Sequence, residues 1–172
     1  MRVAILAVVG SLCTFPWPVV AAPAELLNKT ITVSYAVTIP TRMDDGRVVS
    51  GSRNASRTIY ISSAGRTFAR ASRSDGRRGE TRDAAPGEAG NTYRWQGSRL
   101  VGVMSFVSGA VQMIITFGPG GQSCDASIVI GRDGSNTLKR RGVDGSIREA
   151  AGPATVSGVS CSILAGNAFA EG

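Results

Sequence analysis

The chain contains no histidine, and this absence decides much of the chemistry that its side chains can perform. Imidazole is the base in Ser-His-Asp and Cys-His nucleophile arrangements and a ligand in the common zinc hydrolases, so those mechanisms are excluded. The sequence also lacks a G-x-S-x-G elbow, a P-loop lysine after a glycine run and a G-x-G-x-x-G helix start. We therefore expect a protein that is not an enzyme and that uses no metal or cofactor.

Two short motifs resemble catalytic or phosphate-binding elements only in composition. Asp44 and Asp45 are adjacent and precede Gly46, so a turn explains them better than a glycosidase carboxylate pair. The run from Gly118 to Gly121 resembles a phosphate cradle, but its place between two apolar segments predicts a hairpin loop. Neither motif identifies an active site.

Arginine is the residue type with the clearest capacity for binding. Ten arginines fall between Arg42 and Arg82, and the planar guanidinium fork suits phosphate and carboxylate groups. This cluster predicts contact with an anionic envelope polymer or lipid. The alternative is a solvated basic surface, because five acidic residues lie in the same region, between Asp44 and Asp83. Nucleic acid is not expected as a partner, because no aromatic ladder accompanies the arginines. The candidate anion-contact residues are Arg66, Arg70, Arg73, Arg77 and Arg78.

The first 24 residues have the layout of a secretory signal peptide. Arg2 precedes an apolar run from Val3 to Leu12, and Ala22-Pro23-Ala24 fits an A-x-A cleavage pattern. The apolar run is too short to span a bilayer, so no membrane span is expected after removal of residues 1–24. We expect residues 25–172 to form one β domain in the periplasm or outside the cell.

Three cysteines occur in the chain, and Cys13 lies within the expected signal peptide. Cys124 and Cys161 remain as an even pair in a chain that is directed to an oxidising compartment. A zinc site is a poor alternative, because two thiols without histidine do not complete the usual ligand set. The sequence therefore predicts a disulfide between Cys124 and Cys161.

The elements that must position these residues are strands. Residues 31–39 alternate strictly between apolar and small polar side chains, which is typical of a strand with one buried face. Apolar runs at 58–61 and 67–71 flank Ser63-Ala64-Gly65 and predict a hairpin. The segment from 72 to 90 is rich in Arg and Gly and has no periodicity, so we expect a long mobile loop there.

Residues 93–130 predict a four-stranded antiparallel meander. Turns at Gly97-Ser98 and Ser108-Gly109 and a loop at Gly118–Gly121 place the large apolar residues on one face. The opposite face is more apolar than a solvent-exposed face needs to be, which indicates a covering element or a contact surface. The expected cross-strand neighbours are Tyr93 and Gly102, Trp95 and Leu100, Met104 and Met113, Phe106 and Val111, and Ile115 and Cys124.

Together these elements predict an all-β antiparallel meander of about seven or eight strands, as a sandwich or a partly closed barrel. Residues 155–164 read as the last strand, with Val159, Cys161 and Ile163 facing inward. A partly closed barrel leaves open a second function, a carrier for a small apolar ligand. Its interior would be lined by Tyr93, Trp95, Met104, Phe106 and Met113, which otherwise simply fill the core.

The layout of a signal, a first strand and the segments YISSAGRTFAR, QSCDASIVIG and GVSCSILAGN resembles small uncharacterised exported proteins of Gram-negative soil and symbiotic bacteria. The resemblance covers most of the chain after residue 24. It implies a periplasmic or extracellular address and no particular activity. The expected function is therefore non-enzymatic binding of anionic envelope components through a basic surface.

Overall fold

The structure is a computed structural model, and it describes residues 21–74, 76, 78–84, 93–106, 109–130, 139–141 and 147–169. Eleven strands occur within these residues. Short 3-10 turns lie at Ala24–Leu26 and Pro119–Gly121. The strands are β1 (Lys29–Arg42), β2 (Val48–Ile61), β3 (Thr67–Arg73), β4 (Arg78–Ala84), β5 (Tyr93–Gln96), β6 (Arg99–Phe106), β7 (Gly109–Phe117), β8 (Cys124–Ile130), β9 (Lys139–Arg141), β10 (Ile147–Ala150) and β11 (Thr155–Ala165).

The strands form two antiparallel sheets, which confirms the all-β expectation. The larger sheet has the order β4-β3-β2-β1-β10-β9, and β11 pairs with the same edge of β1 as β10 but further toward its N-terminus. The smaller sheet is the meander β5-β6-β7-β8. One of the two sheets curls into a half-barrel.

A single apolar core lies between the two sheets. The alternation in β1 directs Ile31 and Val33 inward, and Ile59 of β2 is also fully buried. Leu100 and Ile115 meet them from the smaller sheet. Burying one such side chain contributes about 1.5 to 3 kcal/mol, so these inward rows decide which face of each strand is covered.

The register of the meander corrects two of the three sequence-based pairings. Tyr93 lies opposite Gly102 and Trp95 opposite Leu100, as expected. Between β6 and β7, however, the register is displaced by two residues, and Phe106 pairs with Gly109. The loop after β7 is also longer than expected, so the partner of Cys124 is Phe117. A displacement of two residues preserves the face of every side chain, which is why the predicted inward set survives.

The expectation of a loop throughout 72–90 is wrong, because residues 78–84 form β4 and pair with β3. The described residues form three strands, β4, β9 and β10, in addition to the eight that the sequence pattern predicts. Their sequences are polar, and β4 and β9 lie at the two ends of the larger sheet. Edge strands commonly carry charged residues and contribute little to a core, so they lack the apolar alternation that reveals a strand.

The disulfide between Cys124 and Cys161 is present, with the two Cα atoms 5.6 Å apart. It joins β8 of the smaller sheet to β11 of the larger one. The inward placement of Val159 was wrong, because this side chain is 38% exposed. A β-bulge explains the difference: two residues, Gly158 and Val159, oppose Tyr35 alone, and Gly158 adopts a φ of 59° that favours glycine.

Both terminal segments of the described chain pack onto the sheets. Leu26 is fully buried and lies over Gly121, where an added Cβ would meet the leucine at 2.7 Å.

Within residues 21–169, where described, no helix is long and apolar enough to cross a membrane. Residues 1–20 of the expected signal peptide lie outside the described residues.

Candidate polar face and its arginines

The outer face of the larger sheet carries rows of hydroxyl side chains. Because side chains alternate along a strand, the residues between the inward apolar positions of β1 and β2 share the opposite face. The pairing aligns these residues across four strands. One row contains Ser160, Ser34, Ser56 and Ser72, and the next contains Ser162, Thr32, Thr58 and Arg70.

An open groove of about 460 Å³ lies along the first of these rows. Most of its lining residues occupy strand positions whose side chains point to the outer face. Several of them carry hydroxyl or amide groups that both donate and accept hydrogen bonds. Such a groove suits a ligand that is itself rich in oxygen atoms. The lining residues are Ser34, Tyr35, Ala36, Asn54, Ala55, Ser56, Ser72, Arg73, Ser74 and Gly158.

Arg70 lies in the row beside the groove, on β3. Its guanidinium carbon is 4.9 Å from the centre of the Phe169 ring, and Phe169 contacts Phe68 edge to face at 4.5 Å. The cation–π contact orients the guanidinium without neutralising it. The turn that carries Phe169 is held by Thr30, whose Oγ1 donates to the Gly166 carbonyl and accepts from the Ala168 amide.

The other predicted contact residues occupy different places. Arg73 lines the groove, and Arg78 of β4 pairs with Ser72 at the same end of the serine row. Arg66 lies in the β2–β3 turn, where its backbone N–H donates to Ser62 Oγ. Arg77 lies outside the described residues. By the pairing register, Arg70 shares the face of the serine row, whereas Arg73, opposite Ala55, belongs to the other face of β3. Arg66 lies apart from both, in the β2–β3 turn.

Sequence reasoning overlooked Arg57, which occupies an inward position of β2, opposite Val33. Its charge acts on the buried Tyr93: burial raises the pKa of Tyr93, Arg57 lowers it to a smaller extent, and Tyr35 raises it. Counting alternate residues from Ile59 would have placed Arg57 inward. Residues 50–57 are mostly Ser, Arg and Gly, so no apolar alternation in the sequence marks the inward positions.

The residues proposed to line a carrier cavity contribute instead to the core where they are described. Tyr93, Trp95 and Met113 are each at most 5% exposed and belong to the central cluster. Trp95 also stacks at a tilt on Phe117, with ring centres 5.6 Å apart. The side chains of Met104 and Phe106 lie outside the described set. Among the described residues, no group of three or more Cys, Asp or Glu side chains is placed so that it could hold a metal ion.

Comparison of the chain with protein-family models, with curated proteins and with solved structures finds no match.

Proposed function

We propose that the protein is a non-enzymatic, exported binding protein that holds an anionic polysaccharide of the cell envelope on the outer face of β1–β4. The observation that carries this proposal is the serine-lined groove, with Arg70 on the same face of the sheet and Arg78 of β4 at the register position opposite Ser72. The periplasm or the extracellular space is the proposed location, in accord with the disulfide.

The groove and the arginines favour complementary parts of one ligand. Serine and asparagine side chains suit the hydroxyls of a sugar chain, whereas guanidinium groups suit its carboxylate or phosphate substituents. Phe68 and Phe169 add an aromatic surface beside Arg70. An open groove accommodates a long polymer, whose ends do not have to fit inside the protein. A neutral apolar ligand would make little use of these groups.

The overall charge supports the same ligand class. The chain has a formal net charge of +7, which attracts polyanions at long range and makes association sensitive to salt. Long-range attraction does not select a surface, so short-range contacts to the groove must supply specificity. The proposal therefore predicts both a salt-dependent component and a position-dependent component of binding.

Binding of the full disulfide-bonded chain to polygalacturonate, measured by calorimetry at low and high salt, tests this function. Neutral dextran should not bind. Replacing Arg70 and Arg78 by serine should weaken binding about tenfold or more, because each hydrogen bond to a charged group contributes about 1.5 to 3 kcal/mol. The test should also include vesicles rich in phosphatidylglycerol, and preferential binding to them would favour a lipid surface instead.

A matched control removes the same charge from the other sheet. Arg94 and Arg99 are exposed residues of β5 and β6, and their replacement by serine lowers the net charge equally. This control should retain nearly the affinity of the native chain. Equal weakening of both double variants would show that binding depends on net charge alone and would refute the proposed face.

A further inference from the structure

The β1–β2 ribbon continues beyond the core as an arm, formed by residues 40–42 and 48–53. Val48 and Val49 are 54% and 48% exposed although they point to opposite faces of the ribbon. Both faces of the arm are therefore uncovered at its tip, and the arm owes its form to backbone pairing. The tip itself is held by Arg47, whose Nε lies 2.6 Å from Asp45 Oδ2.

The two long edges of the arm differ. On the β1 side, β10 pairs with Thr41 and Arg42, and the Ala151 amide donates to the Pro40 carbonyl. On the β2 side, β3 ends its pairing at Ala55, and a hydrogen bond from the Ser74 amide to the Asn54 carbonyl follows. Within the described part of the chain, no strand pairs with residues 48–53 on the side away from β1. An open edge that continues an existing sheet is a template for another strand.

We propose that this edge, Val48 to Arg53, accepts an extended segment of another protein as an additional strand. The surrounding side chains specify the segment. Val48 and Val49 favour β-branched apolar neighbours at one end, and the exposed Arg53 favours an acidic residue at the other. A second copy of this chain is a poorer occupant, because two chains of formal charge +7 repel one another.

The inference is independent of the proposed polysaccharide function, since it concerns a backbone edge and not the serine groove. Its first test uses a synthetic peptide of alternating valine and threonine that ends in two glutamates. The backbone amides that point away from β1 are those of Val48, Ser50 and Ser52, and their exchange in the full chain should be fast without the peptide. At saturating peptide the exchange of these amides should slow about tenfold or more, because added ladder hydrogen bonds protect amides.

Two peptide controls define the chemistry. Lysine in place of the glutamates should weaken binding about threefold to fivefold, as expected for loss of an exposed ion pair. Proline at alternate positions should abolish binding, because proline cannot donate to a ladder. Slow exchange of the Val48, Ser50 and Ser52 amides in the free chain, equal affinity for the lysine peptide, or equal protection by polygalacturonate would each overturn the inference.

A pair of variants locates the contact. Val49→Lys should weaken peptide binding about fivefold to tenfold, because the apolar neighbour is replaced by a charge. Val129→Lys is the matched control, since Val129 is 45% exposed but lies on β8 of the other sheet. Both substitutions remove an exposed valine and add the same charge. Equal weakening by the two variants would refute docking at this edge.

Discussion

The two halves of the β1–β2 ribbon have the same backbone pairing and very different surroundings. The pairing register runs without interruption from Lys29 opposite Ile61 to Arg42 opposite Val48. At the near end, Ile31 and Ile59 are fully buried, whereas the valines at the far end are about half exposed. Continuous hydrogen bonding therefore does not decide where a core forms. The sequence decides it, because β2 changes from Ser, Gly and Arg over residues 50–57 to apolar alternation from Ile59 onward.

The largest expected effect compares one inward residue from each half. Ile59→Ala should lower the free energy of unfolding by about 2 to 5 kcal/mol, because it leaves a cavity in the core. Val49→Ala should change it by less than about 0.5 kcal/mol, because the side chain is already half solvated. Urea denaturation of the two variants measures the difference. Similar losses would mean that the arm is packed in solution.

The disulfide gives the next largest effect. Cys161→Ser should lower stability by about 2 to 4 kcal/mol, because the bond closes a long loop and joins the two sheets. Hydrogen exchange should accelerate first in β11, which runs beside the near half of the ribbon. Exchange in residues 48–53 should not change. Mass spectrometry of the native chain with both thiols free would contradict the bond itself.

A smaller effect concerns the C-terminal turn at the near half. Thr30 is 1% exposed, and its hydroxyl both donates and accepts a hydrogen bond. Thr30→Val should cost about 1 to 3 kcal/mol, because it leaves the Gly166 carbonyl and Ala168 amide without these partners. Thr32→Val is the control on the same strand, where the side chain is only half buried. Equal costs would show that β propensity, and not these hydrogen bonds, sets the stability.

The smallest effect is a dependence on alkaline pH. Burial raises the pKa of Tyr93 above its ordinary value of 10.0. Above pH 10.0 the unfolded chain loses this proton while the folded chain retains it, so stability should fall as pH rises toward the folded pKa. Tyr93→Phe should remove that part of the slope. Urea midpoints measured on both sides of the ordinary pKa test this, and an unchanged slope would contradict it.

Much of the near half of the ribbon and of the smaller sheet could be predicted from the sequence, because the apolar residues of both regions alternate along the strands. The alternation around Ile31 and the inward direction of Trp95 and Cys124 follow from side-chain parity. The meander pairings were displaced by two residues because parity is insensitive to an even shift. Turn residues alone did not distinguish a loop ending at Gly121 from one ending just before Cys124.

The candidate site was less predictable, because it depends on strands without an apolar signal. Arg78 lies opposite Ser72 in the pairing register only because residues 78–84 form an edge strand. The position of Arg70 depends on Phe169, which is 99 residues away in the chain. Composition showed where arginine is abundant, but the assignment of each arginine to a face required the pairing of β2, β3 and β4.

The neighbours of β1 also determine when this fold can be completed during synthesis. β1 is the first strand to be made, and β11, which pairs with it from Lys29 opposite Ala165, is the last. Until β11 arrives, that edge of β1 has to remain open, and open edges of new chains promote aggregation. The larger sheet therefore cannot be completed before Ala165 has been made, and non-local pairing of this kind is intrinsically slow. Residues 29–38 of β1 lack their β11 partner throughout that interval.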